Sequence, residues 1–126
     1  MNSATLRVDG DGSERLDFTH IDDLVQGILL VLRRPEARNQ IFNLTYGESR
    51  SIKDLLEVVK QAFPAVRVEY VERDRLMPMR GTLSVDKARR LLGYQPENPV
   101  EVGFPKYIEW YRELARKAET PEKKVA

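Results

Sequence analysis

Residues 21–35 read IDDLVQGILLVLRRP, and this stretch decides the fold class. Its apolar residues cover more than one side of a helix, so the spacing predicts a helix over 22–34 that is buried on two sides. Asp22 and Asp23 stand at the predicted start, where the helix dipole favours negative charge. Two arginines suit the last turn, and Pro35 ends the helix. A helix of this kind, flanked by apolar strand-like segments, indicates a mixed α/β domain.

Three strand-like segments flank this helix or follow it along the chain. Thr5–Val8 and Ile41–Thr45 are short apolar segments that predict strands. Residues 66–70 alternate apolar and charged side chains, which is typical of a half-buried strand. Gly27, inside the predicted helix, favours a close approach between that helix and the sheet.

Three more helices follow from their start and stop signals. The first begins with a capping box, Ser51-Ile52-Lys53-Asp54, in which aspartate takes the place usually held by glutamate or glutamine. The second opens at Ser84 or Asp86 and ends at Gly93. The third has Asn98 as its predicted cap, with a proline in the first turn.

Composition excludes several classes of function. The 126 residues contain 21 Lys plus Arg and 20 Asp plus Glu, a net charge of +1, which argues against charge-driven binding to nucleic acid or membrane surfaces. Cysteine is absent and histidine occurs once, so thiolate and multi-histidine metal sites are excluded within one chain. The longest apolar run, residues 28–32, is too short to span a bilayer. With no signal-like segment at the start, we expect a cytoplasmic domain.

The segment Asp9-Gly10-Asp11-Gly12-Ser13 is a dense turn signal. Its aspartates resemble the opening of a calcium loop, but the sixth and twelfth positions hold Glu14 and His20, so a plain turn is the better interpretation. Its two glycines form a G-x-G, yet the third glycine of a dinucleotide fingerprint would fall at Arg15.

Two further groups of side chains carry candidate chemistry. His20 precedes two carboxylates, and a catalytic His–Asp pair is conceivable, but a helix junction capped by Asp22 and Asp23 is favoured. Arg73, Arg75 and Arg80 lie in one predicted loop, and guanidinium groups suit a diphosphate ligand. On composition alone, a solvated loop is the more economical interpretation of the three arginines.

Taken in order, several motifs resemble the C-terminal part of the NAD-dependent epimerase/dehydratase family, the extended short-chain dehydrogenase/reductases. The resemblance covers about residues 6–115, and its strength lies in the order and spacing of the motifs. The motifs are the Gly-Asp-Gly turn, DFTHIDDLV at 17–25, IFNL at 41–44, GES at 47–49, DKA at 86–88, LLGYQP at 91–96 and EWY at 109–111.

The resemblance implies a fold and a role. The fold expected is α/β, with a partial Rossmann-type edge from Ile41–Thr45 and the 22–34 helix, and a small substrate-binding lobe. Family members bind NAD through a Gly-rich fingerprint and use a catalytic Tyr-x-x-x-Lys, and this sequence contains neither. We therefore expect no catalytic residue and no cofactor for this chain alone, and we expect a fragment, a truncated reading frame or one half of a split enzyme.

The resemblance also implies substrate-binding residues. Phe18 matches an aromatic that lies beside the nucleotide in family members, and Arg80 lies near a diphosphate-binding arginine. The family often has a second such arginine where this chain has Leu16. The neighbouring Arg15 is the remaining candidate, although in an extended segment it would face the opposite side.

The sequence therefore predicts one domain over residues 1–117 and a polar, flexible tail over 118–126. The favoured function is the sugar-nucleotide-binding part of an epimerase or dehydratase, inactive alone. The alternative is a non-catalytic binding or assembly module that pairs with another chain. The expected partners are a nucleotide-diphosphate sugar, an NAD-binding half or second chain, and further copies in a homo-oligomer.

Overall fold

The computed structural model describes residues 5–119, and within them the chain forms four strands and four α-helices. A short 3₁₀ turn, Pro35–Ala37, follows the first helix. In chain order the elements are β1 (Thr5–Asp9), β2 (Arg15–Leu16), α1 (Ile21–Arg33), β3 (Arg50–Ser51), α2 (Ile52–Ala62), β4 (Arg67–Val71), α3 (Asp86–Leu92) and α4 (Val100–Glu119).

The strands form two small two-stranded sheets. β1 and β4 pair in parallel, with Thr5 opposite Arg67 and Asp9 opposite Val71. β2 and β3 pair antiparallel, and Arg15 stands opposite Ser51. The predicted strands at 5–8 and 66–70 are confirmed, and a parallel pair is possible because a long crossover containing α1 and α2 separates them.

The predicted strand Ile41–Thr45 belongs to neither sheet of the described chain, so this prediction is wrong as to strand pairing. The segment keeps the alternation of a strand, because Ile41 and Asn43 are exposed while Phe42 and Leu44 pack against the core. The physical reason is that a strand requires a neighbour, and no segment within residues 5–119 pairs with this one.

α1 confirms the predicted helix but not its predicted burial on two sides. Only Asp23 and Gly27 of this helix are buried, and Leu30 and Val31 pack against the core. The opposite face is exposed because nothing in the described part of the chain covers it. That face carries an apolar stripe of Ile21, Val25, Ile28, Leu29 and Leu32.

The core lies between α1, α3 and the 41–45 segment, around the fully buried Tyr94. Gly27 makes this packing possible, since a Cβ there would stand 2.8 Å from Leu44 Cδ2 and 3.1 Å from Tyr94 Cε2. The predicted close approach at Gly27 is therefore confirmed, with an extended segment as its neighbour. The other buried members of this cluster are Ala37, Val85, Ala88 and Leu92.

The helix caps differ in part from the prediction. The capping box of Ser51 and Asp54 is present in full, and Gly93 ends α3 in the left-handed conformation with φ of 73°. α1 is capped by His20 instead of the two aspartates: its Nδ1 accepts a hydrogen bond from the N–H of Asp22 at 3.2 Å.

Asp23 and Asn98 do not cap helices as predicted, because their side chains are hydrogen-bonded to each other. The carboxylate of Asp23 accepts hydrogen bonds from the N–H of Glu97 at 2.9 Å, the N–H of Asn98 at 3.0 Å and the Asn98 side chain at 2.7 Å. Lys106 Nζ donates to Asn98 Oδ1 at 2.6 Å. α4 starts two residues later, at Val100. The buried carboxylate of Asp23 thus fixes the position of the start of α4 relative to α1.

α4 extends to Glu119, two residues into the predicted tail, and residues 120–126 lie outside the described part of the chain. Within residues 5–119, no helix combines the length and the apolar character that crossing a bilayer requires.

We expect Asp23→Ala to lower the free energy of unfolding by about 3 kcal/mol or more, because three donors lose their acceptor and each unsatisfied buried group costs about 1–3 kcal/mol. Asp22→Ala is the matched control, since its side chain is 69% exposed and its one ion pair within residues 5–119 is with His20. It should change stability by less than about 1 kcal/mol. Urea denaturation followed by circular dichroism measures both, and equal losses in the two variants would contradict this role for Asp23.

Candidate functional site

Asp17 joins three segments that are distant in sequence. Its carboxylate accepts hydrogen bonds from Thr45 Oγ1 at 2.8 Å, the N–H of Gly47 at 3.1 Å and the N–H of Leu83 at 3.2 Å. Gly47 has a φ of 86°, and a Cβ there would stand 2.6 Å from Val85 Cγ2, so only glycine fits this approach. The segment that precedes α1 is thereby hydrogen-bonded to residue 83, at the end of the loop that contains Arg73, Arg75 and Arg80, here called the arginine loop.

Arg15 and Ser49 make a second connection to the same loop. The Arg15 guanidinium donates to Ser49 Oγ at 3.0 Å and to the Ser49 carbonyl oxygen. The N–H of Ser49, which is buried, donates to Thr82 Oγ1 at 3.0 Å. Arg15 therefore acts on the loop through Ser49, and its guanidinium is already engaged.

Arg80 lies two residues before Thr82, so its Cα is within about 7 Å of that anchor. Its side chain is exposed, and within residues 5–119 its guanidinium has neither an ion pair nor a hydrogen bond. The backbone near Arg80 is thus linked to Arg15 through Thr82 and Ser49. The Arg80 side chain itself is exposed and could contact a ligand.

Phe18, next to Asp17, lines a groove of 780 Å³ between residues 18–22 and α4. The walls are mainly apolar and aromatic, and His20 and Lys106 add polar groups. Within residues 5–119 Phe18 has no cation–π contact with Arg15 or Arg80, and its neighbour Asp17 connects it to the loop through the N–H of Leu83. The other aromatic residues of the groove are Phe104, Tyr107 and Trp110.

His20 is held in a structural position. Its Nδ1 caps α1 and lies 3.5 Å from Asp22 Oδ2. The ring packs against α4, since a Cβ at Gly103 would stand 2.8 Å from His20 Cδ2. The favoured junction role of His20 agrees with these contacts, with His20 itself as the cap.

The other two loop arginines have different surroundings. Arg73 donates to the carbonyl oxygens of Met77 at 2.7 Å and Pro78 at 3.2 Å, so it organises the loop from inside. Arg75 lies 3.9 Å from Glu72, and both side chains are almost fully exposed. Arg80 is therefore the loop arginine with no bond to the rest of the described chain.

Three residues of this region were not singled out by the sequence. Asp17 and Tyr94 lie in the motifs that carry the family resemblance, but their contacts depend on residues far along the chain. The Tyr94 hydroxyl donates to the Thr45 carbonyl oxygen at 3.0 Å. Burial, together with the charges of Asp23 and Asp17, raises the pKa of Tyr94 to about 12. Ser49 also lies in one of these motifs, GES at 47–49, and its contacts likewise depend on residues far along the chain.

The glycine turn does not fit NAD. The N–H of Gly10 donates to the Val71 carbonyl oxygen at 2.8 Å, and the Gly12 carbonyl oxygen accepts from Lys53 at 3.0 Å. A Cβ at Gly12 would stand 3.3 Å from Tyr70. The turn is thus held by β4 and by the start of α2, and it opens no helix whose N-terminus could hold a pyrophosphate. In the part of the chain that the structure describes, no group of three or more metal-ligating side chains occurs.

The model of the NAD dependent epimerase/dehydratase family matches residues 2–45, the part that contains the glycine turn, Asp17 and α1. Over this stretch the chain is similar to that family. It is 27% identical over 110 residues to a UDP-glucuronate 4-epimerase of Thermodesulfobacterium geofontis, covering 86% of this chain and 33% of that protein. It is 29% identical over 109 residues to a UDP-glucose 4-epimerase of Mycolicibacterium smegmatis, covering 86% and 34%.

Solved structures of epimerases share the fold. An epimerase of Methanothermobacter thermautotrophicus superposes with a TM-score of 0.80 at 30% identity, over 92% of this chain and 36% of that one. A UDP-glucuronic acid 4-epimerase of Bacillus cereus, in complex with UDP-glucuronic acid and NAD, gives 0.79 at 23% identity, over 89% and 36%. The expected Rossmann-type α/β class is confirmed, and the chain spans about a third of these epimerases.

We expect Tyr94→Phe to remove a pH dependence of stability between pH 10 and 12. The pKa of Tyr94 is raised above its ordinary value of 10.0, so its contribution is complete below pH 10 and is lost as the pH rises to about 12. The loss is about 1.4 kcal/mol per pH unit in the wild type. Urea denaturation at pH 8, 10 and 11 measures it. Tyr111→Phe, which removes an exposed hydroxyl, is the matched control, and an identical pH profile for all three proteins would refute the assignment.

Proposed function

We propose that this chain is the sugar-nucleotide-binding part of an NAD-dependent epimerase or dehydratase. The observation that carries the proposal is the pair of connections to the arginine loop, Asp17 to Leu83 and Ser49 to Thr82. These connections hold the region of Arg80 near the segment that contains Phe18, so a phosphate-binding group and an aromatic ring stand on one scaffold.

The ligand class follows from the side chains that are free to bind. An unpaired guanidinium binds phosphate oxygens in a bidentate manner, and an aromatic ring supports a base or sugar face. In this proposal Arg80 contacts the diphosphate and Phe18 lies beside the nucleotide. Arg15 is a positioning residue, because both of its hydrogen bonds go to Ser49.

The proposed role excludes turnover by the 126 residues alone. The sequence has no Tyr-x-x-x-Lys and no Gly-rich fingerprint, and the one G-x-G turn is hydrogen-bonded to β4 and to the start of α2. When bound elsewhere in the enzyme, NAD would supply transient oxidation of the sugar. This chain would contribute binding and orientation of the substrate.

A non-catalytic assembly module is the second candidate. The exposed apolar stripe of α1 favours it, because a surface of this kind marks an interaction site. The two candidates differ in whether a nucleotide diphosphate binds to the arginine loop.

We expect Arg80→Ala to weaken UDP binding by about ten-fold to over a hundred-fold, because a hydrogen bond to a charged group contributes about 1.5–3 kcal/mol. Isothermal titration calorimetry at fixed, moderate salt measures the affinity. The matched control is Arg75→Ala, which removes the same charge from the same loop at an exposed residue whose one ion pair in the described part of the chain is with Glu72.

Arg15→Ala should give an intermediate loss, because Ser49 and the loop then lose one anchor. Equal affinities of wild type and Arg80→Ala would refute the assignment of Arg80. An absence of UDP binding to the wild type would favour the assembly module.

We also expect the purified chain to show no epimerase or dehydratase activity and no appreciable binding of NAD. The same calorimetric titration with NAD tests this expectation. The UDP-glucuronic acid 4-epimerase of Bacillus cereus, whose structure contains NAD, is the positive control. Micromolar NAD binding to this chain would contradict the proposed division of roles.

A further inference from the structure

We propose that Arg89 is a second phosphate-binding residue, and that Arg89 and Arg80 together bind the two phosphoryl groups of a diphosphate. The inference rests on the proposed function and adds a binding residue outside the arginine loop, on α3. The diphosphate of a sugar nucleotide carries a negative charge on each phosphoryl group, and a guanidinium binds one such group through a pair of hydrogen bonds. Arg80 alone therefore leaves half of this ligand without a partner of opposite charge.

The other arginines near the loop are engaged elsewhere. Arg15 donates to Ser49, and Arg73 donates to carbonyl groups inside the loop. Arg75 is almost fully exposed, and its ion pair is with Glu72. The second cation for a diphosphate must therefore come from another element of the structure.

The guanidinium of Arg89 lies over the turn at Gly47. Its Nη2 stands 3.6 Å from the position that a Cβ at Gly47 would take. The N–H of Gly47 donates to Asp17, and the same carboxylate accepts a hydrogen bond from the N–H of Leu83 at the end of the arginine loop. Arg89 is therefore close to the hydrogen bonds that anchor this loop.

The electrostatic environment of Tyr94 agrees with this position. Its hydroxyl donates to the carbonyl oxygen of Thr45, which lies just before the same turn. Burial and the charges of Asp23 and Asp17 raise the pKa of Tyr94 to about 12, and the positive charge of Arg89 opposes this rise. Because the interaction between charges weakens with distance, the guanidinium lies near this hydroxyl.

The backbone at Arg89 is held rigidly. Its N–H donates to the Val85 carbonyl oxygen at 2.9 Å, and Val85, Ala88 and Leu92 are at most 2% exposed in the core. The short segment that joins Arg80 to Val85 is fixed by the hydrogen bonds of residues 82 and 83. Both arginines thus extend from anchored backbone, which reduces the conformational freedom lost on binding.

The Arg89 guanidinium is available to a ligand. Its side chain is 49% exposed, and its one ion pair within residues 5–119 is with Asp86 Oδ1 at 3.9 Å. Asp86 is 85% exposed, so solvent screens this pair and it contributes little. Glu48, the acid next to Gly47 in sequence, pairs with Arg50 at 3.5 Å. Arg89 therefore keeps donors and charge that a phosphoryl group would use.

The experiment compares UDP with UMP, which has a single phosphoryl group that one guanidinium can hold. Isothermal titration calorimetry at fixed, moderate salt measures both affinities. We expect Arg89→Ala to weaken UDP binding by about ten-fold, and UMP binding by less than about three-fold, because only the diphosphate requires both arginines. Arg89→Lys keeps the charge and should restore part of the UDP affinity.

Arg90→Ala is the matched control. It removes the same charge from the next residue of α3, which is also exposed, and successive side chains of a helix point about 100° apart. Its affinities for UDP and UMP should equal those of the wild type. Urea denaturation of both alanine variants shows whether either substitution changes folding.

Three results would overturn the inference. They are equal UDP affinities of wild type and Arg89→Ala, equal losses in Arg89→Ala and Arg90→Ala, and losses for UMP as large as those for UDP. The third would assign Arg89 a structural role. If Arg80→Ala still weakened UDP binding in these cases, the proposed function would stand without Arg89.

Inorganic pyrophosphate separates the two proposals in the other direction. Binding of pyrophosphate to the wild type, lost in Arg89→Ala and kept in Arg90→Ala, would support the two-arginine site. If UDP then bound no more tightly than pyrophosphate, the phosphate site would stand and the proposed nucleotide binding would fail. An absence of binding for both ligands would overturn both proposals.

Discussion

Two carboxylates, Asp17 and Asp23, hold this chain together. The sheets within residues 5–119 are only two strands wide, so ladder hydrogen bonds connect few segments. Asp17 accepts hydrogen bonds from residues 45, 47 and 83, and Asp23 accepts them from residues 97 and 98. Each carboxylate thus fixes segments that lie far away in sequence. A hydrogen bond to a charged acceptor contributes more than one between neutral groups, and its loss leaves donors unsatisfied.

The arginine loop depends on the same constraint. Leu83 and Thr82 are fixed by Asp17 and Ser49, and Arg73 binds loop carbonyl groups from inside. Arg80 extends from a segment whose end is anchored, and it has no bond to the rest of the described chain. A free guanidinium on an anchored loop loses less conformational freedom on binding phosphate than one on an unanchored loop.

The two sides of α1 differ in burial. On one side of α1 the core is closed around Tyr94, whereas on the other side the stripe is exposed, and segment 41–44 has no strand partner among the described residues. Helix formation requires only local hydrogen bonds, so α1 forms without a covering layer. A strand requires a neighbour, and this difference explains why the helix prediction over 22–34 was confirmed and the strand prediction over 41–45 was not.

The amino-acid sequence predicted the helices whose signals are local, and it indicated the family that the motifs resemble. Three local features could be predicted because each depends on residues close together in sequence. They are the capping box of Ser51 and Asp54, the glycine that ends α3 and the apolar spacing of α1. The order of the short motifs indicated an epimerase-like α/β fold, which the solved structures confirm. Tertiary structure alone decided that Asp23 and Asn98 bind each other instead of capping helices, that Arg15 is engaged by Ser49 and that one face of α1 is bare. These outcomes depend on which distant groups meet, and hydrogen-bond partners 34 to 75 residues apart leave no periodic signal in a sequence.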